Sequence, residues 1–147
     1  MRGQRGVTAV ELTIVLVGLL VLVGTATPTV NAALDGFRAS GATWDLYSAV
    51  HLTKARARTT GVMHGLVIEP DGRGFRVVED PVGAAATVEG PHPLPDGAIA
   101  SSNANIRFSP NGFAVPAGTI TIRSGGEVRR LVVNLLGRVR VASGEGP

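Results

Sequence analysis

The chain opens with an apolar block unlike anything that follows it. Residues 1–6 include two arginines, and residues 7–23 are apolar or small apart from two threonines and Glu11. A helix of about 20 such residues can cross a bilayer, and basic residues ahead of it favour an N-terminus on the cytoplasmic side. The pattern predicts a membrane-spanning helix over 7–27, with the rest of the chain outside the cytoplasm.

Beyond this block the apolar positions keep a helical period but alternate with charged residues. From 28 to 60, leucines and aromatic residues recur at helical spacing among Asp, Arg and Lys, and Gly61 marks the end of the pattern. Gly36 and Gly41 weaken the pattern and predict a bend or local fraying. We therefore expect an amphipathic continuation of the helix over 28–60.

From Gly61 the period shortens to two, which is typical of strands. Segments 62–69 and 75–79 flank a turn rich in Pro, Asp and Gly, and together they predict a hairpin. Residues 81–104 lack periodicity and predict a long connecting loop. The expected fold is α+β, with one long helix packed on an antiparallel sheet that forms a globular head over 61–147. The other predicted strands cover 106–108, 113–115, 119–123, 128–134 and 138–141.

The carboxylate of Glu11 limits the interpretations of the N-terminal block. A secretory signal peptide is one interpretation, with a small-residue cleavage site at 30–32, and a simple single-pass anchor is another. A carboxylate inside an apolar helix costs about 2.5 to 3.5 kcal/mol on insertion scales, so it usually has a partner. Neither interpretation explains the presence of Glu11.

The segment GVTAVEL, which begins at Gly6, resembles the prepilin motif, in which a leader ending in glycine is removed and the fifth residue of the mature chain is glutamate. The resemblance implies a leader over 1–6 and cleavage by prepilin peptidase between Gly6 and Val7. Val7, where this family usually has Phe or Met, is then the candidate site of N-methylation. The resemblance also implies that Glu11 pairs with the freed amino group of a neighbouring subunit during assembly, and that Pro28 kinks the helix.

Four segments of the C-terminal half are similar to the GspH/FimT family of minor pilins and pseudopilins. This resemblance implies a pilin-like fold and a structural subunit near the tip of a type II secretion pseudopilus or a type IV pilus, held in the inner membrane by its helix. The implied partners are other pilin-type subunits, the prepilin peptidase and the inner-membrane assembly platform. The segments are FSPNG at 108–112, GTITI at 118–122, RRLVV at 129–133 and GRVR at 137–140.

The composition argues against several kinds of chemistry. The chain has no cysteine, so it has neither a disulfide nor a thiolate site. Its three histidines, His51, His64 and His92, do not stand at metal-ligand spacings, and the first two are expected at the surface. The sequence contains no nucleophile elbow and no phosphate-binding glycine loop. We expect no catalytic residue, metal or cofactor.

The C-terminal third differs from the rest in charge, because it carries six arginines and two glutamates. Arg138 and Arg140 are separated by one residue, so a strand would present them on one face. Arg123, Arg129 and Arg130 are expected neighbours if the last three strands form a meander. The sequence therefore predicts a locally basic surface on the head.

Two interpretations of this basic surface stay open. The first is a solvated strand face that keeps the protein soluble. The second follows from the resemblance, because FimT-like minor pilins are implicated in DNA capture through a similar Gly-Arg-x-Arg motif; this implies that Gly137, Arg138 and Arg140 contact DNA, with Arg129 and Arg130 beside them. Arginine pairs well with phosphate, and without interleaved aromatic residues such binding would be largely independent of sequence. A structural subunit and a DNA receptor remain the alternatives.

Overall fold

The structure, a computed structural model, describes residues 8–79 and 86–143, with the side chains of 25–29 left aside. The chain divides into two compact units, residues 1–34 and 35–147. The predicted leader and the cleavage site at Gly6 and Val7 lie outside the described residues. So does the side chain of Pro28, where a kink is predicted.

A single α-helix, α1 (Ala9–Thr60), runs through 52 residues. Its first turn is closed by a capping box: the backbone N–H and the hydroxyl of Thr8 both donate to Glu11 Oε2 at 3.0 Å, and the N–H of Glu11 donates to the Thr8 hydroxyl at 3.3 Å. The helix stops before Gly61, whose φ of 70° is the left-handed conformation that commonly terminates helices.

The helix is unbroken at Gly36 and Gly41, so the predicted local fraying is wrong. Ala39 and Ala42, on either side of Gly41, are fully buried, and Pro95 packs against the glycine. Tertiary packing of one helix face stabilises a helix more than propensity does, which explains why two glycines do not interrupt it.

Within the described residues, eight strands follow the helix and form two antiparallel sheets of four, where a single sheet was expected. The antiparallel α+β architecture is confirmed, and the last three strands form a meander, which was the condition for expecting their arginines to be neighbours. The strands are β1 (His64–Ile68), β2 (Gly74–Glu79), β3 (Ala86–Pro93), β4 (Ala98–Ser102), β5 (Ile106–Phe108), β6 (Gly118–Ser124), β7 (Glu127–Val133) and β8 (Val139–Ser143). Their order is β3-β2-β1-β5 in the first sheet and β4-β6-β7-β8 in the second.

The predicted loop over 81–104 contains β3 and β4, so that prediction is wrong. β3 is an edge strand with mostly exposed residues, and its register against β2 shifts twice between Phe75 and Val78. β4 buries only two small side chains, Ala98 and Ala100. Neither strand has the alternation of large apolar residues that identifies strands in a sequence.

Two local predictions also fail. The segment 113–115 is not a strand, because it makes only a single β-bridge between Ala114 and Phe108. His64 is not at the surface: it is only 3% exposed, and its Nδ1 lies 3.0 Å from the carbonyl oxygen of Val62. A local backbone partner of this kind makes the burial of an imidazole tolerable.

The hydrophobic core of the 35–147 unit joins the helix to both sheets. Leu46 and Val50 are completely buried on the helix, among three alanines that let the strands approach closely. In β6 the burial alternates, so Ile120 and Ile122 point into the core while the residues between them do not. Every member of this core lies between residues 42 and 139. The unit therefore has the complete core expected of a domain that folds independently.

Candidate interaction surfaces

Glu11, the predicted assembly residue, has its carboxylate engaged within its own chain. One carboxylate oxygen accepts both hydrogen bonds from Thr8 in the capping box. The Thr-x-x-Glu spacing of Thr8 and Glu11 in the sequence is the signature of this arrangement. Glu11 thus has a structural role at the start of the helix.

The helix of the 1–34 unit is apolar, and its large side chains are exposed. All large apolar side chains between Val10 and Val23 are more than half exposed. In water such a surface would be unfavourable, since each buried aliphatic side chain contributes about 1.5 to 3 kcal/mol. Across the parts of the chain that the structure describes, no helix combines the length and apolarity needed to span a membrane.

An aromatic face runs along the helix in the 35–147 unit, which we define by Phe37, Trp44, Tyr47 and His51. Phe37 is 76% exposed and Trp44 is 64% exposed, and their separation of seven residues puts both on one side of the helix. Tyr47 packs edge-on against Trp44, with ring centroids 5.5 Å apart, and His51 lies 4.5 Å from Tyr47. Tyr47 is partly buried against the core, so the head leaves Phe37 and Trp44 as the exposed rings of this face.

The register of the second sheet separates two arginines that the sequence had grouped. Arg129 is opposite Ile122, which is fully buried, so it lies on the core side of the sheet; its Nε is buried without a hydrogen-bond partner. Arg130 is opposite Thr121 and lies on the outer side. Consecutive residues of a strand point to opposite faces, so the predicted cluster containing both arginines is wrong.

Three arginines do share the outer side of this sheet: Arg123 on β6, Arg130 on β7 and Arg140 on β8. Arg140 is opposite Val132, and Ala142 is opposite Arg130, which makes Arg130 and Arg140 diagonal neighbours. None of the three forms an ion pair with a residue in the described ranges. We call them the arginine face; the sequence placed Arg123 there only conditionally, through the meander.

Arg138 lies just before β8, in a turn that begins at Asn134. Its N–H donates to Asn134 Oδ1 at 2.9 Å, and its carbonyl oxygen accepts the N–H of Asn134 at 3.0 Å. Its side chain is exposed and, among the described residues, has no ionic partner. Arg138 thus stands at the end of the sheet, beside the hairpin turn, and is not part of the regular ladder.

Gly137 has a structural role in that turn. Its φ of 67° is left-handed, and its carbonyl oxygen accepts a hydrogen bond from Lys54 Nζ at 2.8 Å. A Cβ at this position would collide with the carbonyl oxygen of Gly112 and would lie 2.9 Å from Lys54 Nζ. Gly137 is therefore required by the packing of the turn against the helix, whatever its arginine neighbours bind.

An open pocket of about 560 Å³ lies between the helix and the first sheet. Its polar rim is occupied, because Glu89 forms an ion pair with Arg56 and its Oε1 lies 3.2 Å from His92 Nε2, within hydrogen-bond distance. Within the described residues, no three His, Asp or Glu side chains form a group that could hold a metal. The pocket therefore offers a mainly apolar surface, and the described residues that line it do not form a metal-binding group. Its lining includes Asp45, Ser48, Ala49, Leu52, Phe75, Val77 and Pro93.

Comparison with known proteins gives the family. The family described as type II transport protein GspH matches residues 42–137, while no curated protein sequence matches the chain. One structure of the minor pseudopilin EpsH from Vibrio cholerae is similar with a TM-score of 0.61 at 14% identity, covering 72% of this chain and 96% of EpsH.

Two further solved structures have the same fold. A second structure of EpsH gives a TM-score of 0.57 at 16% identity, over 68% of this chain and 92% of that one. The type IV minor pilin FimU of Pseudomonas aeruginosa gives 0.60 at 19% identity, over 70% of this chain and 87% of FimU. The fold and the family predicted from the sequence are thereby confirmed. Because the family match extends over more than half of its length, the chain belongs to the GspH family of type II transport proteins.

Proposed function

We propose that this chain is a minor pseudopilin or pilin that assembles with other pilin-type subunits near the tip of a filament. The observation that carries the proposal is the aromatic face. The helix buries Leu46 and Val50 against the head, yet it leaves Phe37 and Trp44 exposed on another side. Fully burying an aromatic side chain is favourable by about 1.5 to 3 kcal/mol, so these two rings provide a strong driving force for packing against a neighbour.

In this proposal the N-terminal helix is a membrane anchor that later becomes part of the filament. The leader over 1–6 is removed by prepilin peptidase between Gly6 and Val7, and the apolar helix over 7–27 stays in the inner membrane until the assembly platform extracts it. Glu11 then pairs with the new amino group of a neighbouring subunit, which sets the register. The exposed apolar surface between Val10 and Val23 supports this proposal, because lipid or neighbouring helices would cover it.

The test is incorporation of full-length chain into the filament fraction of cells that carry the whole system. Phe37→Ser and Trp44→Ser should each lower the amount of chain recovered with the other pilin-type subunits, while the amount in the membrane stays constant. Ile99→Ser is the matched control, since Ile99 is 48% exposed on a sheet. Equal incorporation of all three variants would contradict the proposal.

A second function, DNA binding, is favoured by the arginine face. Arg123, Arg130 and Arg140 lie on one side of one sheet without acidic partners among the described residues, and arginine is well suited to phosphate. Arg129 is on the other side and is excluded from this site. Such a surface would bind double-stranded DNA through its backbone, with an affinity that falls steeply as salt rises.

DNA binding is tested with the 35–147 domain and labelled double-stranded DNA across a salt series. An Arg130→Ala, Arg140→Ala double variant should lose the binding. Arg73→Ala removes one exposed charge from the turn after β1 and should bind almost as well as the unmodified domain. If the unmodified domain does not bind at low salt, the DNA function is wrong and the structural function is unaffected.

A further inference from the structure

Two loops of the head lie side by side at the end where the helix stops. The N–H of Ala114 donates to the carbonyl oxygen of Leu135 at 3.0 Å, which joins the segment 113–115 to the turn before β8. Ala114 is fully buried, whereas its neighbours Phe113 and Val115 are each about half exposed. The two loops therefore present their side chains to one common surface.

This surface is apolar and exposed, and we define it as the loop patch of Phe113, Val115, Leu135 and Leu136. Their exposed fractions are 47%, 51%, 65% and 57%. Leu135 and Leu136 also line an open concavity of about 480 Å³ next to Val132. Two neighbouring leucines at a turn tip, each more than half exposed, are an unfavourable arrangement for a free protein in water and mark an interaction site.

Hydrogen bonds hold both loops of the loop patch in place. Lys54 Nζ donates to the carbonyl oxygen of Gly137, and the N–H of Gly137 donates to the carbonyl oxygen of Asn134, both at 2.8 Å. The other loop is closed by the N–H of Gly112, which donates to Ser109 O at 2.8 Å. A preorganised surface loses little conformational entropy when it binds, which favours docking.

The rim of the loop patch is basic. Arg138 follows the leucine turn directly, and Arg140 is opposite Val132, which lines the concavity. Between residues 107 and 143 the sequence has a single acidic residue, Glu127 on the far hairpin of the sheet, and neither Arg138 nor Arg140 forms an ion pair with a residue in the described ranges.

We infer that the loop patch is a docking site for a different protein subunit whose matching surface is apolar and rimmed by Asp or Glu. This inference rests on the proposed function, since it names the chemistry of one partner in the assembly. Charge decides against a symmetric contact with a second copy, because that contact would bring the arginines of both copies together. Aliphatic side chains cannot stack on bases, and this argues against single-stranded nucleic acid as the occupant.

The experiment places a photo-cross-linking amino acid at position 136 of the full-length chain in cells that carry the complete system. The matched control has the same amino acid at position 88, since Val88 is 42% exposed on the first sheet. The expected result is a cross-link from position 136, but not from position 88, to a different polypeptide. Mass spectrometry should map it to a segment in which apolar residues adjoin Asp or Glu.

Charge reversal makes the test specific. Arg138→Glu should lower the yield of this cross-link roughly tenfold, and reversing the mapped carboxylate of the partner to Arg should restore it. The variant replaces an exposed side chain, and circular dichroism of the purified chain checks that it folds. A cross-link yield that Arg138→Glu leaves unchanged would overturn the inference.

The remaining outcomes separate the inference from the function on which it rests. A cross-link to a second copy of this chain overturns the inference. The inference is also overturned if the chain is present in the filament fraction but gives no cross-link from position 136. The assembly function would then still stand. Binding of the 35–147 domain to phosphatidylglycerol vesicles that Leu135→Ser, Leu136→Ser abolishes would overturn the inference in favour of a lipid surface. Absence of the chain from the filament fraction would overturn both.

Discussion

Replacing Gly137 with alanine should destabilise the head, because the structure assigns this glycine to packing. Its φ of 67° costs a residue with a Cβ about 1 to 2 kcal/mol. The new methyl group would also collide with the carbonyl oxygen of Gly112, and displacing that loop costs a further 1 to 3 kcal/mol or so, as overpacking typically does. The expected loss in the free energy of unfolding is therefore about 2 to 5 kcal/mol, or roughly 8 to 20 °C in Tm.

The measurement is urea denaturation of the 35–147 domain, followed by circular dichroism. Gly126→Ala is the matched control, because nothing lies within 4 Å of a Cβ at that turn position; it should stay within about 0.5 kcal/mol of the unmodified domain. If Gly137→Ala is as stable as Gly126→Ala, the packing argument is refuted. A stable Gly137→Ala that no longer binds DNA would instead assign this glycine to a binding site.

Three further predictions follow from single contacts. Leu46→Ala should lower the stability of the domain by about 2 to 5 kcal/mol, whereas Leu52→Ala, at a residue 44% exposed, should cost far less; equal losses in urea denaturation would contradict the assignment of the core. Lys54→Met should cost about 1 to 3 kcal/mol through the lost hydrogen bond to Gly137, while Arg58→Met should be close to neutral in the same assay. Glu11→Gln keeps a side-chain oxygen for the capping box but loses the charge, so it should insert into the membrane normally and enter filaments poorly; normal incorporation would refute the charge-pairing role.

Local patterns in the sequence predicted many of the elements of the fold. The helical period over 28–60 and the alternation in the segments that became β6 and β7 predicted elements that the structure contains. β3 and β4 were missed because an edge strand with exposed residues and a strand that buries only alanines do not show that alternation. Periodicity in a sequence reflects the burial of one face of an element, so it does not reveal strands that bury few or only small side chains.

The candidate surfaces were predicted less well than the fold, and the arginines show why. Their number and spacing were evident, but the face of each one depends on which residue lies opposite it in the ladder. The aromatic face and the loop patch were not predicted at all, since an exposed Trp44 and a buried Leu46 look equally apolar in the sequence.

The sequence by itself determined the fold class, the bare apolar start of the helix, the basic C-terminal third and the family. These depend on the order and type of neighbouring residues, which a single chain displays directly. Only the tertiary structure decided that Arg129 and Arg130 point to opposite sides, that Gly137 packs against Lys54 and Gly112, and that two loops join into one patch. Each of these results from contacts between residues far apart in the chain, and strand pairing and register, which set those contacts, are properties of the whole folded domain.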